Sequence, residues 1–197
     1  MRSQTALAEA IIDLATRQSV TSISITDLCR RAGVTRRTFY NHAQSPVLLL
    51  RRVLTDELDQ VRDVMFRDTA DQDADLEAAV RRSLGSIIDH VQHHRAIYHD
   101  PTTRRIHPEL YQLLSDHFFA AVRTSIVTDV RRIPDPRAST NADQHSLAID
   151  IYASYVAHAY AGVIETTLNN PATATTDFVL DLVIDALPDW MLTNPDA

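Results

Sequence analysis

Two groups of side chains in this 197-residue chain have the types and spacing to do chemistry. The first is Arg36-Arg37, bracketed by Thr35 and Thr38 and followed by Tyr40, Asn41 and His42. A guanidinium is a planar fork of donors that matches a phosphate or the O6/N7 edge of guanine. Threonine hydroxyls, a phenol and an imidazole supply donors suited to phosphate oxygens, and Asn41 has the amide that reaches an adenine edge or a sugar. This group points to nucleic acid. The second group is His90, His93 and His94. His90 and His94 stand four apart with Asp89 adjacent, so two imidazoles could share a cation. No His-Glu-x-x-His and no Glu-x-x-His run accompanies them. A polar helix end rich in histidine explains them as well, because imidazole suits a helix C-terminus. His99, His107, His117 and His158 are scattered, with no Ser-His-Asp spacing. No catalytic residue, metal site or cofactor is assigned, and no enzyme is expected.

The net charge of -7 is divided unevenly. Through Thr55 there are eight Arg against Glu9, Asp13 and Asp27, a balance of +5. The rest carries 11 Arg against 23 acids, a balance of -12. There is no Lys. A compact basic head on an acidic body suggests that the head faces nucleic acid. A single cysteine, Cys29, excludes a disulfide scaffold or a cysteine zinc cluster, and is expected to be a buried, inert thiol. Three glycines exclude a GxGxxG or Walker loop and argue against a turn-rich β fold. Glu9 and Asp13 interrupt any signal-peptide-like start, and the run Ile151 to Ile164 is too short for a bilayer and contains His158. The expected location is the cytoplasm, with no membrane partner.

The elements that must position these groups are helices. Residues 4–17 carry Leu7, Ile11 and Leu14 on one face. Ser19 to Ser24 break that helix. A short helix, 26–32, ends at Gly33, which supplies the left-handed backbone other residues resist. Thr35 caps a third helix, 36–42. Ser45-Pro46 opens a fourth helix running to about Arg67, with an acidic connection over 68–75. Helices follow at 76–94, 96–104 (disturbed by Pro101), 108–132, 144–167 and 176–187, with a loop over 133–143. No strand pattern is present. The class is all-α with about nine helices. Gly85 and Gly162 lie inside helices, where close packing is their expected use.

The two short helices joined by Ala32-Gly33-Val34-Thr35 outline a helix-turn-helix, whose second helix enters the major groove. The run from Ile25 to His42, ITDLCRRAGVTRRTFYNH, resembles the DNA-binding signature of TetR-family transcriptional regulators. The resemblance covers about residues 4 to 55. It departs from the family pattern at Ala15, Ser19 and Ala43, and at Pro46, where a phosphate-touching Lys often stands. It implies a DNA-binding domain at 1–46 and a helical ligand-binding and dimerisation domain at 47–197. Thr26, Thr35, Arg36, Arg37, Thr38, Tyr40, Asn41 and His42 are the DNA-binding residues it implies. The partners would be a double-stranded operator, a second copy of the chain and a small-molecule effector, and the activity would be repression. A dimer also meets a physical need, since two recognition helices read a pseudo-palindrome where one gives little affinity.

In the body, Tyr98, Tyr111, Phe118, Tyr152, Tyr155 and His158 are the expected lining of an effector pocket, with Glu165 nearby; small-molecule sites are apolar and aromatic with a few polar groups. The helix over 144–167 is apolar on more than one face and so needs two partners. Its stripe Ala153, Ala157 and Ala161, with Phe178 and Leu182 of the last helix, is the expected dimer interface. Two other readings stay open. One is a helical-bundle metalloprotein or metalloenzyme using the His90/His93/His94 region. The other is a helix-turn-helix protein whose body answers a protein partner.

Overall fold

The computed structural model describes residues 2–68, 76–100, 102–128, 142–188 and 191. Among them are nine α-helices and one small hairpin. The order is α1 (Arg2–Ala15), a 3-10 turn (Val20–Ser22), α2 (Ile25–Ala32), α3 (Arg36–Tyr40), α4 (Pro46–Asp68), α5 (Leu76–His93) and α6 (Arg95–Tyr98). Then come β1 (His99–Asp100), β2 (Arg105–Ile106), α7 (Pro108–Thr128), α8 (Ala142–Asn169) and α9 (Thr176–Ala186). Residues 69–75 of the connection expected at 68–75, 129–132 of the helix expected at 108–132, and 133–141 of the loop expected at 133–143 lie outside the described residues.

Helix boundaries follow local chemistry. The Ser24 hydroxyl accepts the Asp27 N–H at 3.0 Å and caps α2. The Ser45 hydroxyl accepts from Leu48 N–H at 3.2 Å, and Pro46 follows at the first helical position, where no N–H is required. Thr175 caps α9 by accepting from Phe178 N–H.

One hydrophobic core runs through head and body. Leu7, Ile11, Leu28 and Phe39 of the head are fully buried, as are Leu49, Leu50, Leu54 and Leu58 of α4. Full burial of each such side chain contributes about 1.5–3 kcal/mol. α4 packs on α1 and the 3-10 turn and also on α5 and α7, so it is the structural link between the two ends. α7 and α8 form the main helix pair of the body, and α9 lies on α5.

Three expectations are corrected. The helix expected over 96–104 stops at Tyr98, and a two-stranded antiparallel hairpin follows, pairing His99 with Ile106 and Asp100 with Arg105. Asp100 precedes a proline, which disfavours helical backbone there. Its carboxylate instead accepts from the N–H groups of Thr102 and Thr103 at 2.8 and 3.3 Å and turns the chain, with Arg104 left-handed at φ 56. Helix α8 begins at Ala142 rather than Gln144 and is 28 residues long. It is long and apolar enough to cross a membrane by length and composition alone. Here its fully buried Ala153, Ala157 and Ala161 lie inside the protein, in a helix packed along α7. Finally, Gly162 has open space where a Cβ would stand, so close packing does not explain it, whereas at Gly85 the methyl of Leu180 from α9 would be 3.4 Å away.

Candidate nucleic-acid interface

The corner between α2 and α3 is made by Gly33, at φ 65 and ψ 30. Val34 N–H bonds the Cys29 carbonyl at 3.0 Å, closing the end of α2. Nothing lies within 4 Å of a Cβ placed at Gly33, so the constraint is the backbone angle and not space. Thr35 has extended backbone, and its hydroxyl accepts from Thr38 N–H at 3.1 Å while meeting the Thr38 hydroxyl at 2.9 Å. Phe39 anchors α3 in the core, with the exposed Tyr40 ring edge-on to it at 5.4 Å.

This anchoring leaves Arg36, Arg37, Tyr40 and Asn41 on the surface. The Arg37 guanidinium makes no hydrogen bond or ion pair among the described residues, while its carbonyl accepts from Asn41 N–H at 3.2 Å. Arg36 folds back, and its Nη2 donates to the Thr26 hydroxyl at 2.6 Å. Thr26 and Arg36, ten residues apart, are thereby brought together on the outside of the helix-turn-helix. His42 is placed differently from a free phosphate donor. Its Nε2 lies 2.9 Å from the Ser3 hydroxyl of α1, and its carbonyl accepts from Arg52 Nη1 at 2.6 Å. It ties the end of α3 to α1 and α4.

The head's charge is sorted by its ion pairs. Asp13 holds both Arg17 and Arg31, at 2.7 and 2.8 Å, and these contacts, Arg31 first, lower its pKa. Asp27 pairs with Arg30 and accepts from the Ser24 hydroxyl, which lowers its pKa most. Arg51 reaches across to α7, 2.6 Å from Asp116. Arg2, Arg36, Arg37 and Arg52 have no carboxylate partner among the described residues. Cys29 is buried, and burial raises its thiol pKa, which keeps it unreactive.

The body rearranges the remaining expectations. Tyr98 and Phe118 are buried, and Tyr111 and Tyr152 are half-buried against the core. Tyr155 is 69 % exposed, and His158 is exposed with its Nδ1 at its own helix carbonyl of Ser154, so neither faces the interior. Glu165 is occupied in holding the hairpin, accepting from Arg105 at 2.7 Å and from Ile106 N–H at 3.1 Å. The Ala153, Ala157 and Ala161 stripe is buried within the chain and cannot meet a second copy. The exposed apolar row of α8 is instead Leu147, Ile151 and Tyr155, while Phe178 and Leu182 of α9 are 54 and 53 % exposed as expected of a surface row. Two hydroxyls, one on Tyr160 of the aromatic set on the middle helices and one on Ser115, which the sequence did not single out, carry a distinctive feature. The Tyr160 hydroxyl, on a ring packed 5.2 Å from that of Phe118, and the Ser115 hydroxyl on α7 are buried with no hydrogen-bond partner among the described residues. Of the histidine run, His93 is exposed, while His90 and His94 face Glu57 of α4.

No protein-family model and no curated protein sequence matches the chain. Solved structures do. The matched structures include transcriptional regulators. A TetR transcriptional regulator from Rhodococcus sp. RHA1 is 21 % identical with a TM-score of 0.60, over 98 % of this chain and 97 % of that one. NalD, the secondary repressor of the MexAB-OprM efflux pump in Pseudomonas aeruginosa, is 18 % identical with a TM-score of 0.55, over 93 % and 92 %. The dihydroxyacetone kinase operon activator DhaS is 15 % identical with a TM-score of 0.59, over 93 % of each chain. The chain therefore has a TetR-like fold. Identities this low are compatible with one fold because helix packing survives wide exchange of apolar residues of similar volume.

Proposed function

We propose that this chain is a homodimeric, cytoplasmic transcriptional regulator, a repressor and not an enzyme, that binds a pseudo-palindromic operator and is released by a small-molecule effector. The observation that carries the reading is the capped α3 presenting Arg37, Arg36, Tyr40 and Asn41 to solvent, with no carboxylate spent on either arginine. Two exposed guanidiniums with no carboxylate partner among the described residues, one of them held by the Thr26 hydroxyl, suit an anion or a base edge. The TetR-like fold of known regulators supports the same reading. The exposed rows Leu147/Ile151/Tyr155 and Phe178/Leu182 favour a second copy as partner, because exposed apolar surface of this kind marks an interface. The orphaned Tyr160 and Ser115 hydroxyls favour an effector with a polar group held between α7 and α8, since a buried hydroxyl without a partner costs about 1–3 kcal/mol.

The test is binding of the purified chain to DNA upstream of its own coding sequence at several salt concentrations. Affinity falling steeply as salt rises, at two chains per half-site pair, supports the reading. Binding that is independent of salt, or equal for scrambled DNA, refutes it.

A further inference from the structure

Glu57 lies on α4, His90 lies in the last turn of α5, and His94 is the residue between α5 and α6. Glu57 Oε2 is 2.8 Å from His94 Nε2 and 3.5 Å from His90 Nδ1. The three donor atoms all lie within 4.8 Å of one another. The two imidazole rings are 4.8 Å apart and buried, whereas the carboxylate side chain is 37 % exposed, leaving a way in from solvent. The other nitrogen of His90 is 3.3 Å from the hydroxyl of the fully buried Tyr98. A ligating imidazole needs such an outer partner to fix its tautomer and ring orientation.

A tetrahedral ion bound at about 2.1 Å sets its ligand atoms about 3.4 Å apart. The Glu57–His90 separation already has that value. The Glu57–His94 edge must lengthen by about 0.6 Å and the His90–His94 edge shorten by at most about 1.4 Å, within reach of side-chain rotation. Of the neighbours, His93 is exposed with its ring 4.9 Å from that of His94, and Asp89 faces Thr176 of α9 at 3.3 Å.

We propose that Glu57, His90 and His94 form a site for a divalent first-row transition metal of the zinc class, which clamps α4 to α5. Two imidazoles and one carboxylate suit zinc, cobalt(II) or nickel(II), and not magnesium or calcium, which take oxygen ligands. The fourth position is left for water. Glu57 shares α4 with Arg52, whose guanidinium holds the His42 carbonyl, and α6, which follows His94 directly, packs on α1 of the head. Metal occupancy then alters operator affinity, a consequence that rests on the regulator reading above.

The test uses the tag-free full-length chain, stripped with chelator, and cobalt(II) as the probe. One equivalent per chain gives the intense visible bands of tetrahedral cobalt, zinc(II) displaces it, and a hundredfold excess over Kd raises the thermal midpoint by about 5 °C or more. Glu57→Gln keeps the shape of the side chain and weakens cobalt binding at least tenfold, with helix content by circular dichroism unchanged. His94→Gln does the same. Only the pale spectrum of hydrated cobalt, bands that persist unchanged in both variants, or equal stabilisation by magnesium(II) overturns the site. In the DNA arm, zinc changes operator affinity about fivefold or more. Metal binding with unchanged operator affinity overturns the coupling. A chain that binds cobalt but no operator under any condition refutes the regulator reading and leaves the site standing.

Discussion

Replacing Arg37 by Ala removes a guanidinium that makes no bond among the described residues, so folding stability should change by less than about 0.5 kcal/mol. Its effect on DNA is then a clean measure of the proposed interface. A bidentate arginine–guanine contact discriminates by about 1–3 kcal/mol. A dimer holds two copies too far apart to interact, so the losses add to about 2–6 kcal/mol, or from about 30-fold to over 10⁴-fold in Kd. Arg36→Ala should cost less. Arg36 must first give up its 2.6 Å bond to the Thr26 hydroxyl, a net expense of about 0.5–1.5 kcal/mol. The two variants should therefore differ by about fivefold per half-site. Thr26→Val releases Arg36 but also removes a hydroxyl expected at the DNA, so tighter binding assigns Thr26 to holding Arg36 and weaker binding assigns it to the DNA. Fluorescence anisotropy on operator and scrambled duplexes, each at several salt concentrations, measures all three. If Arg37→Ala binds operator as the parent does, or loses affinity equally for scrambled DNA, α3 does not read bases through Arg37.

Gly33→Ala forces an L side chain into left-handed backbone at φ 65, and should lower stability in urea by about 1–2 kcal/mol, with Gly33→Asn closer to the parent. Tyr160→Phe deletes a buried hydroxyl without a partner, so the ligand-free protein should be as stable as the parent or more stable by about 1 kcal/mol, and a fall in the urea midpoint would show that the hydroxyl is satisfied. Ile151→Glu combined with Leu182→Glu places charge on both exposed rows and should shift sedimentation from dimer to monomer at micromolar concentration, whereas Ala157→Leu should damage folding instead, because that site is fully buried. The pKa of Asp13 is lowered in the folded state by Arg31 and Arg17, so its contribution is present above its ordinary value of 3.8 and is lost as pH falls through the lower folded value. Asp13→Asn should flatten the acid limb of thermal stability below about pH 4.

The helix-turn-helix was legible in the sequence because its determinants are local. Gly33, Thr35 and Ser45-Pro46 each act within three or four residues, and the structure realises each at the expected place; Ser24, which the sequence placed only in the break before α2, also caps it. What sequence could not resolve is what depends on direction or on distant chain. α8 is apolar on several faces, so periodicity alone could not say which one meets α7. The small stripe packs inside, and the larger row Leu147, Ile151 and Tyr155 is left outside. The Thr26–Arg36 bond, the Ser3–His42 bond and the hold of Glu165 on the hairpin join residues ten or more positions apart. Glu57 stands 37 positions from His94 and on another helix, beyond any local spacing rule. The hairpin escaped notice because each strand is two residues long, too short to show alternation.

The arginines that made the head look basic are not all of one kind. Arg51 and Arg52 sit on α4, where a count of charge would place them against phosphate. Arg51 instead bonds Asp116 of α7 at 2.6 Å, and Arg52 bonds the carbonyl of His42 at the same distance. With Glu57 held by His94 at 2.8 Å, α4 has directional ties to α7, to the end of α3 and to α5 within seven residues. The buried leucines beneath it give bulk attraction, which resists separation but little resists a small slide or rotation. The polar ties resist both, since a hydrogen bond weakens steeply with angle and distance. A ligand shifts an equilibrium only by binding its two states unequally. In this fold the polar ties of α4 run to the body through Arg51 and Glu57 and to the end of α3 through Arg52.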